Sequence, residues 1–97
     1  MEMTELDKNF HSEWEDLVHD FNWVKDTVKG LKTEIAKLAK LKKEGDWEGM
    51  AWKICDIFEV VDSLIQWATC LKEDLGRLDL LCHLKEVMKH ANREKGV

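Results

Sequence analysis

The sequence predicts an all-α protein, a long antiparallel helical hairpin with coiled-coil-like packing, for three reasons. The 97 residues include no proline and only 5 glycines, which argues against a turn-rich β fold. Two long segments carry apolar residues at alternating gaps of three and four, which is the coiled-coil pattern. Between these segments, Glu44-Gly45-Asp46 supplies a turn. At 11.4 kDa the chain is expected to be a single helical domain covering residues 1–97.

The first helix is predicted over about residues 5–43. Lysines cluster in its last turns, where the helix dipole favours cations. Asn22 and Gly30 are the weak points, and a break near Asn22 would give four helices in place of three. The apolar seam that predicts this helix consists of Phe10, Trp14, Leu17, Phe21, Val24, Val28, Leu31, Ile35 and Leu38.

Two further helices are predicted after the turn, over about residues 47–75 and 78–93. Gly45 suits the left-handed position that ends a helix, and Asp46 is a good N-cap for the next one. Gly76 is expected to end the second helix. The seam of that helix repeats the alternating spacing in Trp47, Met50, Ile54, Ile57, Val61, Leu64, Ala68, Leu71 and Leu75.

The second helix is apolar around most of its circumference, and such a helix is normally surrounded by protein. A chain of 97 residues supplies too few other helices to surround it. We therefore expect an oligomer, most simply a dimeric helical bundle, in which the chain pairs with itself, as a homodimer or higher oligomer, or with a related helical protein. Tryptophan is enriched at the centres of interfaces, and Phe58 and Ile65 belong to the apolar surface of this helix outside its seam. The candidate interface residues are therefore Trp47, Trp52, Phe58, Ile65 and Trp67.

Charge alternates along the chain in four blocks. Residues 1–24 carry a net charge of −6, residues 25–43 of +5, residues 44–76 of −6 and residues 77–97 of +2. A hairpin that turns near Gly45 places blocks of opposite sign side by side, which favours this topology. The sequence pI is about 5.3 and no arginine precedes Arg77, so nucleic-acid binding is not expected.

The sequence predicts no catalytic, cofactor-binding or metal-binding residue. Phosphate-binding loops and the HExxH motif are absent, and the histidine–carboxylate spacings are interpreted as pairs that support a helix. No apolar run long enough to span a membrane and no signal peptide are recognised. The three cysteines, which form no CxxC pair, are interpreted as free thiols of a cytoplasmic protein.

Trp47-Glu48-Gly49 stands at the midpoint of the chain between two long helices. It resembles the WxG signature of the small helical-hairpin proteins exported by type VII secretion systems. This resemblance implies a non-enzymatic hairpin that pairs with itself or with a relative. The present chain is rich in Lys, Glu and Trp, where that family is rich in Ala, Ser and Gln.

Gly45-Asp46 forms a Gly-Asp turn between Glu34 and Asp56. This pattern resembles the all-α MazG-like pyrophosphohydrolases, whose EExxE and ExxD motifs hold Mg²⁺ on either side of such a turn. Gly45-Asp46 matches the turn, and Glu34 and Asp56 match two of the five acids. The other three positions are occupied by Thr33, Lys37 and Lys53.

The function expected from the sequence is therefore that of a non-enzymatic helical hairpin, an adaptor or regulator that acts through protein–protein interaction. The alternative is a MazG-like nucleotide pyrophosphohydrolase with a degenerate, inactive Mg²⁺ site.

Overall fold

Two long helices form an antiparallel hairpin in the computed structural model, which describes residues 3–94, with side chains through residue 91. Helix α1 spans Met3–Glu44 and helix α2 spans Trp47–Glu94. The molecule measures 76 × 16 × 15 Å, so it is only two helices wide. The predicted all-α hairpin is confirmed for the described residues, whereas the remaining positions of the predicted 1–97 domain lie outside them.

The prediction that Gly76 separates two helices differs from the structure, because α2 runs through that position without interruption. Among the described residues, only Gly45 has a positive φ. Glycine inside a helix costs about 1 kcal/mol relative to alanine. Asp74 lies two residues before Gly76 and Leu78 two residues after it. Both are buried against α1, and this packing keeps the helix continuous. The predicted helices 47–75 and 78–93 are thus one helix. Helix α1 is likewise unbroken at Asn22 and Gly30.

The turn between the helices has the predicted capping chemistry. Gly45 adopts a φ of 71°. The amide of Asp46 donates to the Leu41 carbonyl at 3.1 Å, and the amide of Gly45 donates to the Lys42 carbonyl at 3.2 Å. These two bonds form a Schellman motif, which satisfies the last carbonyls of α1.

Asp46 caps the start of α2, where its Oδ1 accepts a hydrogen bond from the Gly49 amide at 2.9 Å. A Cβ on Gly49 would lie 2.4 Å from Asp46 Oδ2. A side chain at residue 49 would therefore require the capping carboxylate of Asp46 to shift, whereas glycine leaves room for it.

The seam between the helices is a regular coiled coil in which each helix contributes two rows of inward residues, spaced seven apart within a row. On α1 these are the central row (Phe10, Leu17, Val24, Leu31, Leu38) and the polar row (Leu6, Glu13, Asp20, Thr27, Glu34, Leu41). On α2 they are Met50, Ile57, Leu64, Leu71 and Leu78, and Lys53, Val60, Trp67, Asp74 and Leu81. All of these residues are buried or half-buried.

This seam overlaps only half of the one predicted for α1. The central row faces α2 as predicted. The other predicted members lie beside the seam, where Trp14 is 50% exposed, Phe21 51% and Ile35 47%. The apolar stripe of α1 is wider than a single neighbouring helix can cover. The polar row takes the inner place because its charged members find partners on α2.

Within residues 3–94, neither helix contains a stretch that is both long and apolar enough to cross a membrane.

Continuity of α2 predicts opposite effects of alanine at two glycines. Gly76→Ala is expected to raise the free energy of unfolding by up to about 1 kcal/mol, because alanine favours helix and the added Cβ meets no atom within 4 Å. Gly45→Ala is expected to lower it by about 1–2 kcal/mol, because its φ of 71° is strained for alanine. Urea unfolding at fixed protein concentration measures both effects. A destabilising Gly76→Ala would contradict the continuous helix.

Candidate functional site

One broad side of the hairpin carries an almost continuous apolar surface, here called the apolar face. On each helix it consists of a row of residues spaced seven apart, next to the seam. The α1 row is Trp14, Phe21, Val28 and Ile35, and the α2 row is Ile54, Val61, Ala68 and Leu75. Val18, Phe58 and Ile65 border these rows.

The two rows lie on the same side of the molecule. Trp14, Val18 and Phe21 line a groove together with Leu71 and Leu75 of the other helix. Farther along α2, Ile54, Ile57, Phe58 and Val61 line a second groove.

The register of the hairpin fixes which members of the two rows face each other. The antiparallel pairing of Glu13 with Arg77 and of Trp23 with Trp67 sets this register. It places four residue pairs side by side across the face, which are Trp14 and Leu75, Phe21 and Ala68, Val28 and Val61, and Ile35 and Ile54.

On the side away from the apolar face, the seam contains a carboxylate pair, the half-buried Asp20 of α1 and the buried Asp74 of α2. Asp74 is 1% exposed and accepts a hydrogen bond from Arg77 Nη2 through Oδ1. Arg77 Nε also donates to Glu13 Oε2 at 2.8 Å, which links α2 to α1. Asp74 Oδ2 is buried and accepts no hydrogen bond. When Asp74 is protonated, this proton would supply the missing interaction, by donation to the neighbouring carboxylate of Asp20.

Burial, followed by the hydrogen bond and charge of the neighbouring Asp20 carboxylate, raises the pKa of Asp74 to about 6, against the opposing effect of Arg77. The hydrogen bond from Asp74 lowers the pKa of Asp20, and His19 contributes to the same effect. Two close carboxylates cannot both ionise cheaply, so the pair titrates as a unit and retains one proton into the mildly acidic range.

Aromatic rings pack next to this pair. Trp23 of α1 and Trp67 of α2 stack with ring centroids 5.0 Å apart and planes inclined by 4°. His19 lies edge-on to both rings at 6.3 and 6.4 Å. Its Nε2 accepts a hydrogen bond from Trp23 Nε1 at 3.2 Å. The stack joins the two helices on the polar side of the hairpin.

An ion-pair cluster occupies the place where the resemblance to MazG-like enzymes would put a Mg²⁺ site. Lys53 Nζ lies 2.8 Å from Glu34 Oε2 and 3.4 Å from Asp56 Oδ2. The hydrogen bond from Lys53 lowers the pKa of Glu34, and Lys37 adds to this. The two matched acids of the MazG-like pattern are thus brought together, with a lysine ammonium between them. Glu59 and Asp62 form an ExxD motif of their own, out of register with the pattern, and both residues are exposed. Across the part of the chain that the structure describes, no group of three or more His, Cys, Asp or Glu side chains could hold a metal ion.

The five candidate interface residues lie in three different places. Phe58 and Ile65 border the apolar face, and Trp47 continues its α2 row towards the turn. Trp52 is 67% exposed on the outer side of α2. Trp67 is half-buried in the seam, stacked on Trp23.

The seam predicted from the sequence includes Trp14, Phe21 and Ile35, whereas the structure places these residues on an exposed surface. The prediction also missed the Asp20–Asp74 pair. The heptad spacing of polar residues along one edge of the apolar stripe indicates a polar row that faces α2. Its members are Glu13, Asp20, Thr27 and Glu34.

The cysteines have free thiols, as predicted. Cys55 and Cys82 are exposed, whereas Cys70 is half-buried.

Comparisons of the chain with protein-family models, with curated proteins and with solved structures gave no match. The two resemblances proposed from the sequence remain predictions.

The Asp20–Asp74 pair predicts a pH-dependent stability. Asp74 has a folded pKa of about 6, above the value of about 3.9 for an unfolded chain. Between these values the folded state binds more protons, so this group contributes less stability as pH rises through 6. The lowered pKa of Asp20 acts in the opposite direction, but only below about pH 4. The free energy of unfolding is therefore expected to fall between pH 5 and pH 7.5.

Asp74→Asn is expected to flatten this dependence, because it removes the titrating group while keeping its shape. Asp62→Asn is the matched control, since Asp62 is exposed on the same helix, and it should leave the slope unchanged. Urea unfolding at pH 5, 6 and 7.5, with protein concentration held constant, measures the slope. An unchanged slope in Asp74→Asn would contradict the assignment.

Proposed function

We propose that this protein is a non-enzymatic helical hairpin, of the adaptor or regulator type, that acts through protein–protein contacts made by its apolar face. Its partner is a second copy or a related helical protein. The observation that carries the proposal is the apolar face itself, set against the small core of the hairpin. Among the described apolar side chains, only Leu6 and Leu78 are buried, at 2% and 7% exposure.

The surface of the chain is large for its mass. The solvent-accessible area is 7619 Å², whereas a compact protein of this mass would expose about 5,800 Å². The excess of about 1,800 Å² is more than the roughly 800 Å² that one partner contributes to a standard interface. The radius of gyration of 21.7 Å also exceeds the roughly 12.5 Å of a compact domain.

The chemistry of the exposed surface favours a protein partner. Contiguous apolar patches larger than a few hundred Å² mark interaction sites on soluble proteins. Two rows of aromatic and branched side chains along a rigid hairpin fit the apolar stripe of another helix. Phe21 and Trp14 lie within the face and are half exposed, as anchors of an interface are before binding.

The Lys53 cluster supports a non-enzymatic role. A Mg²⁺ site for nucleotide phosphates needs carboxylate oxygens free to coordinate the ion. Glu34 instead accepts hydrogen bonds from Lys53 and Lys37. The exposed thiols of Cys55 and Cys82 support a reducing compartment such as the cytoplasm.

A pair of variants tests the apolar face. The wild-type protein at micromolar concentration is expected to have a mass of at least twice 11.4 kDa by light scattering. Phe21→Asp is expected to reduce the mass towards that of the monomer, because it places a charge within the face. The control is Asn22→Asp, which introduces the same charge at the next, exposed position outside the face and should keep the assembled mass. Equal masses for the two variants would contradict a role of this face in assembly.

An activity measurement tests the alternative function. Purified protein with Mg²⁺ is expected to release no pyrophosphate from nucleoside triphosphates, because an ammonium group lies between Glu34 and Asp56. Turnover that is lost in Asp56→Ala would overturn the non-enzymatic proposal.

A further inference from the structure

We propose that the apolar face is covered by the same face of a second copy, with the two hairpins antiparallel and their turns at opposite ends of a four-helix bundle. This inference rests on the proposed function and specifies its partner. The two-fold axis runs perpendicular to the helices. It passes midway between Phe21 and Val28 on α1 and midway between Val61 and Ala68 on α2.

The α1 row has the pattern that such an axis requires. Extended by seven residues at each end, the row contains Asp7, Trp14, Phe21, Val28, Ile35 and Lys42. Rotation about the axis brings Trp14 to Ile35 of the second copy, and Phe21 to Val28 of the second copy. The same rotation brings Asp7 at one end to Lys42 of the second copy at the other. The apolar row is thus closed at both ends by opposite charges.

The reverse arrangement, with both turns at the same end, lacks this closure. It would place the two Asp7 side chains at one end of the bundle and the two Lys42 side chains at the other. Asp7 keeps its contact with Lys85 of its own hairpin, at 2.7 Å, in either arrangement. The charges at the ends of the row therefore favour opposed turns.

Side-chain volume favours the same orientation. With turns opposed, Trp14 and Leu75 of one copy meet Ile35 and Ile54 of the other, and Phe21 and Ala68 meet Val28 and Val61. Each layer then combines large with smaller side chains. With turns together, one layer would hold two tryptophans and two leucines, and another would hold four valines. Helices at constant spacing pack to native density more easily when layer volumes are similar.

The blocks of charge make α1 complementary to the reversed α1 of a second copy, whereas residues 53–76 of α2, within the −6 block, face the same residues of that copy. In the proposed bundle α1 lies against the reversed α1 of the second copy, so the −6 block of residues 1–24 faces the +5 block of residues 25–43. The reverse arrangement also brings opposite blocks together, α1 against α2. The blocks therefore support a second copy as the occupant, and the end charges and layer volumes select its orientation.

Lysines border the face without preventing the contact. Lys25, Lys29 and Lys32 line a groove with Phe21 and Val28. Long lysine stems can lie along apolar surface while their ammonium groups stay in water. Lys25 approaches its own copy near the axis, where its exposed position allows salt to screen the repulsion.

The area is sufficient for a stable dimer. An excess of about 1,800 Å² per chain allows two copies to bury more than about 2,000 Å² in total, which is in the range of obligate homodimers.

A distance measurement on a spin-labelled full-length chain tests the orientation. Cys55→Ser and Cys70→Ser leave the exposed Cys82 as the single labelling site, at the open end of the hairpin. With the axis between Val61 and Ala68, the two labels should be about 50 Å apart, from the rise of 1.5 Å per residue. The reverse arrangement would place them within about 30 Å, across a single end of the bundle. A control label at Thr69→Cys, with the three native cysteines replaced, lies near the axis and should give a distance below about 30 Å in either dimer.

Charge exchange provides a second measurement. Asp7→Lys is expected to raise the dimer dissociation constant about 2- to 30-fold, because it disrupts two exposed ion pairs per dimer. The combination of Asp7→Lys with Lys42→Asp should restore the wild-type constant. Lys40→Asp is the matched control for residue 42, since it is exposed and lies off the row, and combined with Asp7→Lys it should restore nothing.

The outcomes separate the two proposals. A dimer with a Cys82 distance near 50 Å and rescue by the charge exchange supports the opposed dimer. A dimer with a short Cys82 distance overturns the orientation and leaves the proposed function intact. A monomer, or a mass above that of a dimer, overturns the closed pair of hairpins.

Discussion

The constraint on which this structure depends is that a single neighbouring helix cannot cover the apolar stripe of α1. That stripe includes the central row and the row from Trp14 to Ile35, and it spans more of the circumference than one coiled-coil seam requires. Helix α2 covers one edge of it. The exposed face and the polar row in the seam are both consequences, because the seam lies at the edge of the stripe rather than at its centre.

The charged members of the polar row determine the register of the hairpin. Glu34 pairs with Lys53, Glu13 with Arg77, and Asp20 with Asp74. A slip of one heptad would separate these partners and leave charges half-buried without compensation, which is far more costly than the pairs are stabilising. The apolar rows would tolerate such a slip, since apolar side chains would again meet apolar side chains. The polar contacts are therefore responsible for a single alignment, while the apolar rows supply most of the burial.

The helices and the turn could be predicted from the sequence because their causes are local. The heptad spacing, Gly45 and Asp46 act within a few residues of the structure they produce. The prediction that a helix ends at Gly76 is wrong, because the local sequence does not show that Asp74 and Leu78 are buried against α1. The seam was misplaced by one row for a related reason. Apolar periodicity indicates the centre of the apolar stripe of a helix. That centre faces the neighbouring helix of the hairpin only when the whole stripe packs against that one helix.

The central row connects folding with the proposed assembly. Leu17, Val24 and Leu31 belong to the seam and border the apolar face, and in the lone hairpin they are only half-buried. A second copy on the face would bury these side chains further, so the same apolar area would stabilise both the hairpin and the dimer. Binding that requires the folded hairpin then adds to its stability in proportion to the logarithm of concentration. In the proposed dimer, the partner rather than more chain would complete the small core of the two helices and so stabilise their structure.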